Sequence, residues 1–406
     1  MEATASTATE IRPFSVVVAD DDLAELRRRL SASRLPSREL VGDLGQGVQL
    51  ATVEAVTSYW GGEYDMRRLA SRLNGFPQFK TEIGGVEIHF IHVRSDHENA
   101  LPLIITHGWP GSVVEMLDAI GPLTDPTAHG GGPGDAFDVV IPSLPGYGFS
   151  AEPTEVGWDP GRVAQAWAEL MGRLGYDRYV AQGGDVGAAV SDTMALQAPE
   201  GLAGIHLNFL RRPPLPVFAS IFGGAPEPHG LSEAEHEALT RLKAQFMKGY
   251  IAEQQQTPQT IGYSLTDSPA GLASWIIDHD TDAHAKIARA FVDGDPSGGL
   301  TRDNVLDNMT LYWVTRTGAS AARIYWEGQR AAAAAAAAGQ RPPEVTLPVA
   351  FTVFPGEIYR APRAWAEQVY PNLVYFNEAA RGGHFAAWEE PELFAAELRA
   401  AFTTLR

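Results

Sequence analysis

The segment Tyr179-Val180-Ala181-Gln182-Gly183-Gly184-Asp185-Val186-Gly187 constrains this chain more than any other. A short apolar run enters a glycine-flanked acid and leaves through a helical pattern over Val186–Leu196. Strand, tight turn and helix follow in that order, and Asp185 stands where a G-x-nucleophile-x-G turn presents its reactive side chain. A side chain at Gly183 or Gly187 is expected to collide with the neighbouring helix or strand. The following helix directs its free amide N–H groups at the carboxylate and favours the charged form. Ser at such an apex attacks acyl carbons. A carboxylate attacks a saturated carbon carrying a leaving group and forms an ester, which water must then cleave. The same residues also fit a plain βα turn capped by Asp, so the chemical reading needs partners elsewhere.

Three segments supply them. Thr106-His107-Gly108-Trp109-Pro110-Gly111 follows an apolar run at Leu103–Thr106. A loop there sets the Trp109 N–H beside that of Val186, and the two amides form an oxyanion hole for a tetrahedral species on an Asp185 ester. Gly382-Gly383-His384-Phe385 follows the last apolar run, and imidazole suits the activation of water near neutral pH. The other ten histidines are read as structural or surface groups, and no H-E-x-x-H metal motif occurs. Phe354-Pro355-Gly356-Glu357 offers a carboxylate to orient His384. Glu357 is preferred over Glu389 and Glu390, which open a helix where acids commonly serve as caps. Leu144-Pro145-Gly146-Tyr147-Gly148-Phe149-Ser150 reads as a turn shaping the site wall, with Tyr147 joining Trp109 and Pro110 against the substrate.

The chain has 406 residues, which at ~150 residues per domain suggests two or three units or one enlarged core. Apolar runs at Leu103–Thr106, Val139–Ser143, Tyr179–Ala181, Ile205–Phe209, Val349–Phe354 and Leu373–Phe376 alternate with helical patterns. That rhythm predicts a mostly parallel α/β sheet. Residues 1–95 read as an amino-terminal unit, with helices near 18–31, 47–60 and 64–74 and an alternating strand at Val86–Val93. Residues 96–210 and 346–406 form the two parts of the core. Residues 211–345 are helical and polar and read as a cap inserted between core strands. The alanine run 331–338 extends a helix or marks a surface insertion.

A net charge of -19 disfavours nucleic acid and anionic membranes as partners. The absence of Cys removes disulfides, thiolate metal sites and Cys nucleophiles. The first residues carry charge and no apolar run, so neither signal nor anchor is expected and a cytoplasmic location is the expectation. The chain's size leaves room for a homodimer.

Together these motifs resemble epoxide hydrolases of the microsomal and juvenile-hormone type. The likeness runs through Ile11–Thr81, HGWPGS, PSLPGYGFS, GGDVG, the cap stretch Gly249–Ile276 and RGGHFAAWEEPE. It implies an α/β-hydrolase core with a helical cap, consistent with the chain order of nucleophile, acid and His. It implies cofactor-independent hydration of a small epoxide to a vicinal diol, in detoxification or specialised-metabolite biosynthesis. It assigns nucleophile, base and acid to Asp185, His384 and Glu357, with Tyr250 and Tyr325 as hydrogen-bond donors to the epoxide oxygen. From the residues alone Tyr263, Tyr312 and Tyr359 are equally eligible. It also implies a cis Trp109-Pro110 bond. A haloalkane dehalogenase would need a halide donor where Val186 stands, an esterase would need Ser in place of Asp185, and a silent binding protein would not need the full set.

Overall fold

The computed structural model describes residues 9–339 and 344–406. The amino-terminal residues read as neither signal nor anchor fall largely in 1–8, outside the described residues, as do 340–343 beside the expected cap boundary. Among the described residues nine strands form one sheet: β1 (Arg12–Phe14), β2 (Gln78–Ile83), β3 (Val86–Val93), β4 (Leu101–Thr106), β5 (Phe137–Pro142), β6 (Tyr179–Gly183), β7 (Leu202–Leu207), β8 (Val349–Val353) and β9 (Leu373–Glu378). Their order is β1-β2-β3-β5-β4-β6-β7-β8-β9. From β5 through β9 all pairings are parallel, whereas β1, β2 and β3 add antiparallel to that edge.

The parallel strands β4 to β8 are buried along most of their length because helices cover both faces, whereas the edge strand β9 is only half-buried. On one face, the helix Pro160–Arg173 presents Val163, Trp167, Leu170 and Met171 to the core. It starts where Asp159 accepts the amides of Gly161 and Arg162 and Pro160 occupies the first turn. On the other, Leu117, Phe137, Phe394 and Phe402 cluster around the helix Pro391–Ala401.

Two features differ from the sequence expectation. β1 and β2 escape a pattern search because β1 has three residues and β2 buries Gln78 and Thr81 where an apolar residue would signal a strand. β3 does not alternate; it is buried almost throughout, since it lies between β2 and β5 with both faces covered.

Between β7 and β8 the chain is helical, from Leu215–Phe222 to the long helix Gly318–Ala337, which absorbs most of the alanine run. The amino-terminal helices Asp20–Ser31, Leu50–Gly62 and Arg68–Leu73 pack on this helical layer. The join is polar and specific. Tyr64 donates to Asp307 at 2.6 Å, Trp60 Nε1 to Thr310 Oγ1 at 2.9 Å, and Arg68 and Arg72 both pair with the fully buried Asp307. Among the described residues no helix is long and apolar enough to cross a membrane.

Candidate active site

Sheet register brings the distant motifs together. Thr106 at the end of β4 pairs with Gly183 at the end of β6, so the loop carrying Trp109 and the turn carrying Asp185 leave the sheet side by side. A Cβ on Gly187 would lie 1.9 Å from the Thr106 carbonyl oxygen, and one on Gly183 would lie 2.0 Å from the Gly187 oxygen. Only glycine permits that approach, as the spacing predicts. The turn's distortion falls on Asp185 itself, with φ +48° at the first residue of the helix Asp185–Gln197. Such a conformation is uncommon for a residue with a side chain.

The Trp109 N–H donates to Asp185 Oδ1 at 3.0 Å. The Trp109-Pro110 bond is cis. Val186 follows Asp185 in the first helical turn, where backbone amides lack intrahelical acceptors. Asp185 Oδ2 faces His384 Nε2 at 3.6 Å.

At the other side of the site a parallel bridge joins Gly356 to Gly383, one residue before Glu357 and His384 respectively. The bridge sets acid and imidazole opposite each other, and Glu357 Oε1 lies 2.5 Å from His384 Nδ1. Both groups are buried. Glu389 and Glu390 are engaged elsewhere. Glu389 takes Lys286 at 2.5 Å and the Phe385 amide at 3.2 Å, and Glu390 takes Arg381 at 2.6 Å.

These contacts shape the charges. Burial works against ionisation of Asp185, but His384, His279 and the Trp109 amide outweigh it and hold the carboxyl well below its usual range. Burial likewise opposes charge on His384, while Glu357 and Asp185 on either side of the ring raise its pKa well above the ordinary value.

The tyrosines separate by their partners. Tyr263 is exposed, Tyr312 donates to the Gly111 carbonyl at 2.6 Å, and Tyr359 donates to the Leu210 carbonyl. Tyr250 instead accepts from Gln245 Nε2 at 2.8 Å, which leaves its own proton free. The Tyr250 and Tyr325 rings meet edge to face at 6.2 Å. Burial and the negative charge of Asp185 raise the pKa of both phenols well above normal, so both keep their protons. Tyr147 is buried with its hydroxyl bound to the Ala321 carbonyl at 2.8 Å, and its ring packs against Trp109 and Tyr312. Pro110 lines a narrow apolar cavity with Ile276, Ile277, His279, Phe385 and Trp388.

Two groups at the site carry no motif. Glu115 lines the same cavity as Asp185 and His384, and burial pushes its carboxyl up to about 8. Its only sequence signal is its place four residues after Gly111. His279, grouped in the sequence with the structural or surface histidines, lies buried beside the site. It lies on the helical layer, yet its Nε2 is 3.8 Å from Asp185 Oδ2 and its ring lies tilted against that of His384, with centroids 4.7 Å apart. Nothing local in Asp278-His279-Asp280 announces this, because the packing of the helices Pro269–Ile277 and Thr281–Ala288 decides where the loop between them points.

Sheet order, the elbow at Asp185 and the helical insertion define an α/β-hydrolase with an aspartate at the nucleophile's position. Comparison with known proteins agrees. Residues 11–116 match the "Epoxide hydrolase N terminus" family and residues 102–261 the "alpha/beta hydrolase fold" family. A Stigmatella aurantiaca protein, itself an epoxide hydrolase by inference, is 50% identical over 98% of this chain and 86% of its own length. Epoxide hydrolase 1 of Sus scrofa is 35% identical over 96% of this chain and 88% of its own. The crystal structure of juvenile hormone epoxide hydrolase from Bombyx mori superimposes with a TM-score of 0.83 at 30% identity, covering 98% of this chain and 95% of that one. The chain belongs to the epoxide hydrolase family.

Proposed function

We propose that this protein adds water to an epoxide in two steps through an ester on Asp185. The observation that carries the reading is the division of labour within one carboxylate. Oδ1 is held by the Trp109 amide, and Oδ2 faces His384. Oδ2 attacks a ring carbon and the carbon–oxygen bond of the epoxide breaks. The departing oxygen takes a proton from Tyr250 or Tyr325, whose raised pKa values keep that proton available until alkoxide character develops.

Esterification removes the charge of Asp185 from beside His384 and weakens the hold of the imidazole on its proton, which passes to solvent and is regained when the carboxylate is restored. Neutral His384, oriented by Glu357, then takes a proton from water as the water oxygen adds to the Asp185 Cγ. Negative charge forms on Oδ1, opposite the amides of Trp109 and Val186. The Cγ–Oδ2 bond breaks, the diol oxygen receives the proton from His384, and the new Asp185 carboxylic acid returns its proton to the phenolate through solvent. The sum is epoxide plus water to vicinal diol, with no cofactor. Beside Pro110, the side chains of Ile276, Ile277 and Phe385 offer an apolar wall to an uncharged part of the substrate. In this reading residues 1–95 form the family's amino-terminal unit, 96–210 and 346–406 the core, and 211–345 the cap.

Single turnover in 18O-water tests the scheme. Label should enter the Asp185 carboxylate while the first diol formed carries none; label found directly in that first diol overturns it.

A further inference from the structure

His279 has no place in that reaction, yet the fold has built a setting around it. Its ring lies between those of Tyr250, at 5.1 Å, and His384, at 4.7 Å. Its Nδ1 faces Asp280 Oδ2 at 3.5 Å, and Asp280 is fixed in turn by the Ala283 amide at 2.8 Å. Its Nε2 is buried without a hydrogen-bond partner and points towards Asp185. His384 repeats the pattern, with Glu357 at Nδ1 and Nε2 directed at the same aspartate. Two imidazoles, each backed by a buried carboxylate, thus converge on one carboxylate oxygen.

We infer that His279, His384 and Asp185 form a binding site for a divalent transition cation of the Zn2+ class, which silences the enzyme reversibly. The three donor atoms lie within 4.8 Å of one another, with Oδ2 of Asp185 at 3.8 Å and 3.6 Å from the two Nε2 atoms. Donors around tetrahedral Zn2+ stand roughly 3.4 Å apart, as bond lengths near 2.05 Å require, so each Asp185–His separation contracts by a few tenths of an ångström on binding, and the two imidazole nitrogens, within 4.8 Å of each other, close together by rotation of the His279 ring. Two imidazole nitrogens and one carboxylate oxygen suit Zn2+ or its neighbours rather than Ca2+ or Mg2+, which demand six or more oxygens. The carboxylates behind each ring, Glu357 and Asp280, are the outer partners that fix metal-binding histidines with Nε2 free. A fourth position stays open to water. The Asp185 side chain retains 16% exposure, so the site is reachable from solvent.

Bound metal engages the oxygen proposed as nucleophile and the nitrogen proposed as base together. That inhibitory consequence rests on the proposed function, whereas binding itself does not. The helical layer supplies His279 and the core supplies the other two ligands, so the metal also pins one on the other.

The test uses the full-length protein stripped with chelator. Equilibrium dialysis against Zn2+ and the visible absorption of Co2+ bound to imidazole read the site without reference to turnover. One metal per chain is expected, with epoxide hydrolysis lost on loading and restored by EDTA. His279→Gln should weaken binding by on the order of 100-fold or more, and Asp280→Asn by roughly 10–100-fold. Melting of the metal-free variants runs alongside, and Asp280→Asn carries the test should His279→Gln not fold. Absence of stoichiometric binding overturns the inference. So does binding that survives both substitutions, which would place the metal on a surface pair such as His97 with Asp125 or His129 with Glu392. Metal binding that depends on His279 in a protein inactive on epoxides would sustain this site and remove the proposed reaction instead.

Discussion

Glu357 and His384 stand 27 residues apart in the chain and 2.5 Å apart in space. The bridge between Gly356 and Gly383 accounts for that distance. A Cβ on Gly356 would fall 2.4 Å from Asp282 Oδ2 and 3.1 Å from the Gly383 Cα, and one on Gly383 would fall 2.8 Å from Asp282 Oδ2 and from a Glu389 carboxylate oxygen. The loops carrying acid and imidazole are therefore pressed together beneath the helix Thr281–Ala288.

Replacing His384 separates the two half-reactions. In His384→Gln, Asp185 can still be alkylated but the ester lacks a base for its hydrolysis, so turnover should fall by roughly 10²–10⁴-fold. Intact-mass measurement after mixing with a slow epoxide should show an adduct of substrate mass. Preserved turnover without an adduct would remove His384 from the role of base.

Tyr250→Phe and Tyr325→Phe should each slow the alkylation step by on the order of 10²-fold, because a donor aimed at developing alkoxide character is lost. Hydrolysis of a preformed ester should change little. Stopped-flow single turnovers distinguish the two steps, and a tyrosine whose loss leaves alkylation untouched does not contact the epoxide oxygen.

One buried acid gathers several of the contacts that hold the amino-terminal segment to the helical layer. Asp307→Ala deprives Arg68, Arg72 and the Tyr64 hydroxyl of their shared partner. A loss of about 3 kcal/mol is expected, since removing one member of a buried pair strands the others. Tyr64→Phe, which leaves the ion pairs intact, should cost about 1 kcal/mol. Urea unfolding midpoints read both, and equal small effects would mean that this contact does not anchor the segment.

Stability should fall on the acid side of neutrality. Burial lowers the pKa values of His89 and His206 to about 3 and of His92 and His107 to about 4. The folded protein keeps these rings neutral, while the unfolded chain protonates them below about 6.5. The stability they contribute is full above that pH and declines as pH falls, by about 1.4 kcal/mol per pH unit for each ring between the two values. Glu115, raised to about 8 chiefly by burial, acts in the opposite sense between about 4.5 and 8 and offsets one of the four. A urea midpoint that drops from pH 7 to pH 5 fits this balance; a flat or rising midpoint would show that the rings are not buried neutral.

Local chemistry was legible in the sequence because each such feature depends on a few adjacent residues. Glycine spacing around Asp185 fixed the tight turn, the glycine and proline loops marked the ends of β4 and β8, and the repeated apolar runs predicted the parallel sheet. Tertiary packing decided everything that depends on contact between distant segments. It separated Glu357 from Glu389 by giving the latter to Lys286, and it spared the Tyr250 proton while committing those of Tyr312 and Tyr359 to carbonyls. It also swung His279 over the site. The register of the sheet and the angles between packed helices set those choices, and both are properties of the assembled core that no short stretch of residues encodes.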